Sequence, residues 1–190
     1  MSTHCLYCQV KLDAGGGNVV DSNLSYPEIR AEARKAAAAV MDLYWTPGRF
    51  PVDPVQVSRA VGVEVYSAQL GNDTYGMLLS AKAGADMYLD VDQPPNRYRF
   101  SCAHELGHYV DRTSSLDAPL EAGFVEVDKR SDDGRGKPGE VYANEFAGSL
   151  LMPEDELKSQ LDAGTSGVAL ARYFGVSLSA LQYRRQVLGI

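Results

Sequence analysis

Residues that bind transition metals or pair as disulfides are scarce in this chain: three histidines (His4, His104, His108) and three cysteines (Cys5, Cys8, Cys102) among 190 residues. An odd number of cysteines without framework spacing excludes a disulfide scaffold and leaves free thiols or metal ligands in a reducing compartment. Long apolar runs are missing as well. The longest, around Ala36 to Val40, falls far short of the roughly 20 residues of a membrane-spanning helix. Met1 to Cys5 lacks the basic and apolar regions of a signal peptide, so a cytoplasmic protein without membrane attachment is expected. Positive charge is in deficit, with 18 Lys and Arg against 25 Asp and Glu, a net charge of −7. That balance argues against broad, non-specific nucleic-acid binding and leaves room only for a local basic patch. What is present is a hydrophobic fraction of 45%, enough for a core in a length that suits one domain with a small appendage.

Along the chain, residues 1 to 25 read as a flexible leader hinged at Gly15-Gly16-Gly17. Pro27 opens an alanine-rich helix to about Tyr44. Asp53-Pro54 starts, and Gly62 stops, a short helix. Three strands are expected at Val63 to Tyr66, Thr74 to Ser80 and Asp86 to Val91, forming a small three-stranded meander. A helix from about Arg97 to Arg112 follows. Next comes a polar stretch over 113 to 139 with one further candidate strand at Phe124 to Val127. A helix from Glu140 to Met152 precedes three short ones at Pro153 to Ala163, Gly167 to Phe174 and Ser179 to Leu188. The fold class is α+β. The expected division is a leader over 1–25, a main α+β domain over 26–153, and a C-terminal helical subdomain over 154–190 packed on it.

Two of the three histidines fall in His104-Glu105-Leu106-Gly107-His108. Residues four apart share one helix face, so both imidazoles can bind a single zinc ion. Glu105 lies about 100 degrees around the helix, placed to act as general base on the attacking water rather than as a ligand. Gly107 costs about 1 kcal/mol of helix stability relative to alanine, a cost that makes sense where another chain segment must approach closely. A catalytic zinc normally takes three protein ligands. The third is not histidine unless distant His4 folds back. Asp111 and Ser114 stand where a metzincin has glycine and a further ligand, which excludes that class. A glutamate on the helix 140–152 remains. Glu140 shares its face with Ala143, Asn144 and Ala147, with Gly148 nearby, and small residues there permit close helix packing. Glu145, beside Val141, Ser149 and Met152, is the alternative ligand or else a solvated acid. With Glu140 as ligand, Asn144 becomes a candidate for supporting the site by hydrogen bonding.

Arg99-Phe100-Ser101-Cys102-Ala103 leading into the histidine motif resembles the core of ImmA/IrrE-type metallopeptidases. So do Glu140-Val141-Tyr142-Ala143-Asn144-Glu145-Phe146-Ala147, the run Leu150-Leu151-Met152-Pro153, and the region Pro51 to Tyr66. The resemblance implies a compact, zincin-like (gluzincin-like) core with Zn²⁺ on His104, His108 and Glu140 and with Glu105 as base. It also implies a role: cleavage of a helix-turn-helix repressor that silences a prophage, mobile element or stress regulon. The rival readings are a regulator that keeps the zincin fold for binding without cutting, and a toxin–antitoxin component.

Several weaker signals have bland readings beside them. Cys5-Leu6-Tyr7-Cys8 is half a zinc-ribbon pattern without its second half, so an unliganded leader is expected. Cys102 points away from the histidine face and is expected to be a packed thiol. Residues 168 to 181 have the rhythm of helix, tight turn, helix. With only Arg172, Arg184 and Arg185 to contact phosphates, they are expected to pack on the core or dock the protein substrate rather than bind DNA. The oxyanion donor is not identified by sequence; Tyr109 and Tyr142 are the candidates.

Overall fold

The structure, a computed structural model, describes residues 24–71, 74–81, 84–113, 125–129 and 137–190. The leader with His4, Cys5 and Cys8, and most of the polar stretch before Lys137, lie outside the described residues. Helix α1, Tyr26–Tyr44, starts where the Glu28 carboxylate accepts the Ser25 backbone N–H at 2.9 Å and its hydroxyl at 2.6 Å, satisfying donors that a helix start leaves open. Its inward stripe is Ile29, Ala33, Ala36, Ala37 and Val40, the spacing of one helix face. Helix α2, Pro54–Val61, is capped by Asp53, which accepts from Val55 N at 3.0 Å and Gln56 N at 3.3 Å. Gly62, at φ 103°, ends it in the left-handed conformation that glycine adopts without penalty.

Strands β1 (Val63–Ala68), β2 (Thr74–Ala81) and β3 (Gly84–Asp90) arise where expected. A fourth, β4 (Val125–Lys129), joins them in the order β1-β3-β2-β4. The expected meander does not form: β1 pairs with β3, in parallel, while β2 pairs antiparallel with both β3 and β4. Alternation along each strand decides which side chains turn inward, here Val63 and Val65, Leu78, and Ala85, Met87 and Leu89. It does not decide which strand lies alongside.

Beneath the sheet runs α3 (Pro95–Thr113), and α4 (Pro138–Leu151) packs against α3 and α1. Three short helices close the chain: α5 (Glu154–Asp162), α6 (Gly167–Phe174) and α7 (Leu178–Leu188). Helices shorter than about 12 residues are marginal alone in water, so these three exist because they pack. Leu157, Leu170, Phe174 and Leu181 join the same continuous core as Ile29 and Met87, and each fully buried side chain of that kind contributes about 1.5–3 kcal/mol.

Two arginines tie the C-terminal helices down. Arg99 of α3 donates from Nε to Gly175 O at 3.0 Å and also to the carbonyls of Val52 and Phe174, neutralising the carbonyl end of α6. Arg184 of α7, 4% exposed, donates to the Glu145 carboxylate at 2.7 Å, Ser149 Oγ at 3.0 Å and Met152 O at 3.3 Å. Among the described residues no helix is long and apolar enough to cross a membrane.

Candidate metal centre

Tight contact between α3 and α4 creates the centre. A Cβ added at Gly107 would fall 3.0 Å from the Ala143 Cα and 3.2 Å from Phe146 Cβ. The helices therefore touch backbone to backbone at the position where the motif lacks a side chain. The first turn of α4 consequently faces the histidines. His104 and His108 Nε2 are 3.0 Å apart, and the Glu140 carboxylate reaches them at 3.4 and 3.5 Å. A tetrahedral zinc with bonds near 2.0–2.1 Å would set its ligand atoms roughly 3.3 Å apart, so the three groups fit such an ion in both number and spacing. They are the group of metal-capable side chains found among the described residues, all ligand atoms lying within 4.8 Å of one another.

Both rings are buried, at 4% and 5% exposure, and the His104 ring packs against Phe100 with centroids 6.1 Å apart. The Glu140 side chain remains 27% exposed, which leaves the centre open on one side. Hydrogen bonding to His104 first, and to His108, holds the Glu140 carboxyl well below the usual carboxylate range despite partial burial. The side chain is thus an anion across the physiological range, as a ligand must be.

Glu105 is fully buried. Its carboxylate lies against β2 at Gly76, where an added Cβ would sit 2.7 Å from Oε1 and 3.0 Å from Cγ. The β2–β4 register is irregular at Thr74/Gly76, a local disruption of the kind that re-aims strands beside functional sites. Nothing in the sequence pairs Gly76 with Glu105; only the stacking of sheet on helix does.

The alternative ligand, Glu145, is elsewhere. It is 6% exposed and bound by Arg184 at 2.7 Å and Arg34 at 3.1 Å, with Arg30 4.0 Å away. Its neighbours on α4 suggested a solvated acid; the arginines that bury it come from α1 and α7, distant in sequence. Asn144 does not support the triad. Although it shares the Glu140 side of α4, it is exposed and makes no hydrogen bond to His104, His108 or Glu140 among the described residues. Gly148 makes room for Arg184, whose guanidinium would be 3.6 Å from an added Cβ, rather than for α3. Tyr109 and Tyr142 are both part of the apolar core. Cys102 is buried with its thiol 3.7 Å from Ser58 Oγ, and burial pushes that thiol up to about 12, consistent with packing rather than reactivity.

Residues 59–185, well over half of the chain, match the family described as Peptidase_M78, IrrE N-terminal-like domain. The chain belongs to the Peptidase_M78 family. The matched span holds both the histidine motif and Glu140, so the metal-capable triad of this Peptidase_M78 member lies wholly within the family region. No curated protein matches the chain. A solved structure, a transcriptional regulator from Mycobacterium tuberculosis, is similar in fold with a TM-score of 0.52 at 16% identity, over 85% of this chain. The chain spans about half the length of that protein, 52%.

Proposed function

We propose that this chain is a zinc-dependent endopeptidase that cuts a specific protein partner, a helix-turn-helix transcriptional repressor of a prophage, mobile element or stress regulon. The observation that carries the reading is the convergence of two imidazoles and one carboxylate beside a buried glutamate, within a peptidase family. His104, His108 and Glu140 hold the metal, in a unit we assign to residues 26–153, with the C-terminal helices 154–190 as an appended subdomain. A zinc ion held there would supply Lewis acidity towards the scissile carbonyl and the attacking water. Glu105 is the base that accepts a proton at its carboxylate and returns it to the leaving amine. Burial of both histidines and of Glu105 keeps these groups in fixed geometry, so little reorganisation accompanies the reaction. Arg184, one of the few cations of the helix–turn–helix-like segment, is committed to Glu145. This favours packing or protein docking over phosphate binding for that segment.

The experiment that tests the reading is incubation of the zinc-loaded chain with purified helix-turn-helix repressors from the same genome, followed by mass spectrometry of the products. A single internal cut that disappears on chelation is expected. An intact partner, bound but uncut, would instead establish the non-cleaving regulator. Metal content tests the ligand set. Glu140→Ala should lose zinc after dialysis, falling by at least 10-fold in affinity, whereas Glu145→Ala should retain it; the reverse result would overturn the assignment.

The two glycines separate holding the metal from using it. Gly107→Ala pushes against the backbone of α4, which has no side chain to swing aside, and is expected to weaken zinc binding. Gly76→Ala displaces the Glu105 carboxylate instead. It should leave zinc content unchanged while lowering kcat by about 10²-fold, the cost of a misplacement near 1 Å. Equal loss of zinc in both variants would refute this separation.

A further inference from the structure

A cleft of about 680 Å³ opens between α1, α3, α4 and α7, within the size range of small-ligand and side-chain pockets. No triad residue lines it, but two of its wall residues adjoin the centre. Phe100, which packs on the His104 ring, forms part of its wall, and Val141, next to Glu140, forms another part. Its charge runs against that of the chain. Arg30, Arg97 and Arg184 line it with Glu145 as their one acidic counterpart, in a protein of net charge −7. Glu145 is already engaged, because its Oε1 accepts from both Arg184 and Arg34. Arg30 is different. Its guanidinium stands 4.0 Å from Glu145 Oε2, its side chain is 35% exposed, and it donates no hydrogen bond to a described residue. A planar fork of donors thus lines an apolar cleft together with Tyr26 and Tyr183, which are 49% and 62% exposed. Aromatic and arginine side chains at a partly open pocket are the composition that anchors protein partners.

We propose that this cleft receives an acidic side chain, glutamate or aspartate, of the polypeptide substrate near the scissile bond, with Arg30 binding the carboxylate. The inference rests on the endopeptidase reading for its context and on the cleft itself for its chemistry. Apolar walls from Phe100, Val141 and Met152 suit the methylene stem and backbone of a peptide better than a small inorganic anion, which needs a polar cradle. Arg30 offers the bidentate geometry that a carboxylate matches. The excess positive charge raises the on-rate for acidic segments and rejects basic ones.

The test measures binding, not turnover. Zinc-loaded full-length Glu105→Gln protein is titrated into fluorescein-labelled, end-capped decapeptides carrying one central glutamate, and into the twin with glutamine there. A third peptide carries the glutamine and a free C-terminal carboxylate. Anisotropy should show the glutamate peptide binding about tenfold tighter than its twin. Adding Arg30→Met should remove that advantage, and Arg30→Glu should turn the preference towards a central lysine. Equal affinity for the glutamate and glutamine peptides would overturn the proposal. So would an advantage that survives Arg30→Met in protein with an unchanged melting temperature, or tighter binding of the peptide with only a terminal carboxylate. Absence of cleavage in the active protein with the glutamate preference intact would refute the peptidase reading and still support the pocket.

Discussion

Glu105→Gln is expected to leave zinc bound and to slow cleavage of the partner by about 10²–10⁴-fold, the range that a positioned general base contributes. Glutamine keeps the volume of the buried side chain against Gly76, so packing survives while proton acceptance is lost. Nor does the change touch His104, His108 or Glu140, the groups that converge for the metal. Zinc stoichiometry and single-turnover cleavage, measured on the same preparation, separate the two effects. In cells the matching readout is repression that no longer lifts. Cleavage or derepression at the wild-type level in a zinc-replete variant would remove Glu105 from the chemistry. Zinc loss in parallel would instead make it part of the metal site.

The second large effect is on stability. Arg184→Met retains an apolar stem in the buried position but strips three hydrogen bonds, to Glu145, Ser149 and Met152. Removing one partner of a buried pair costs about 3–5 kcal/mol. Arg34 still reaches Glu145 at 3.1 Å, so the lower end, about 3 kcal/mol, is expected here. For a chain of this size that corresponds to a fall of about 6–12 °C in Tm. The double variant Glu145→Met/Arg184→Met should recover much of the loss, because neither charge is then left buried. Thermal unfolding of the three proteins decides the matter. A single variant as stable as the parent would mean that α7 is held by its apolar contacts alone.

Much of the local structure was legible because its signals are local. Asp53-Pro54 and Gly62 bracket α2, and Pro27 stands in the first turn of α1. Each is a backbone donor, acceptor or φ requirement satisfied within a few residues. The strand neighbours were not legible, since alternation carries no information about pairing partners. The arginine contacts were equally hidden. Arg34 and Arg184 lie 111 and 39 positions from the glutamate they bind, and no periodicity links them.

The amino-acid sequence by itself determined the α+β class, and it placed two imidazoles four residues apart on one helix, where the helical repeat puts them over a common point. It also reduced the third ligand to a choice between two glutamates. Tertiary structure alone set them apart in space: Gly107 lets α4 press its backbone onto α3, with Glu140 beside the histidines and Glu145 against the arginines of α1 and α7. The same packing set Gly76 against Glu105 and assembled a basic cleft in an acidic chain. Helix periodicity can be read along the chain, whereas these juxtapositions come from elements that meet only when the common core is buried.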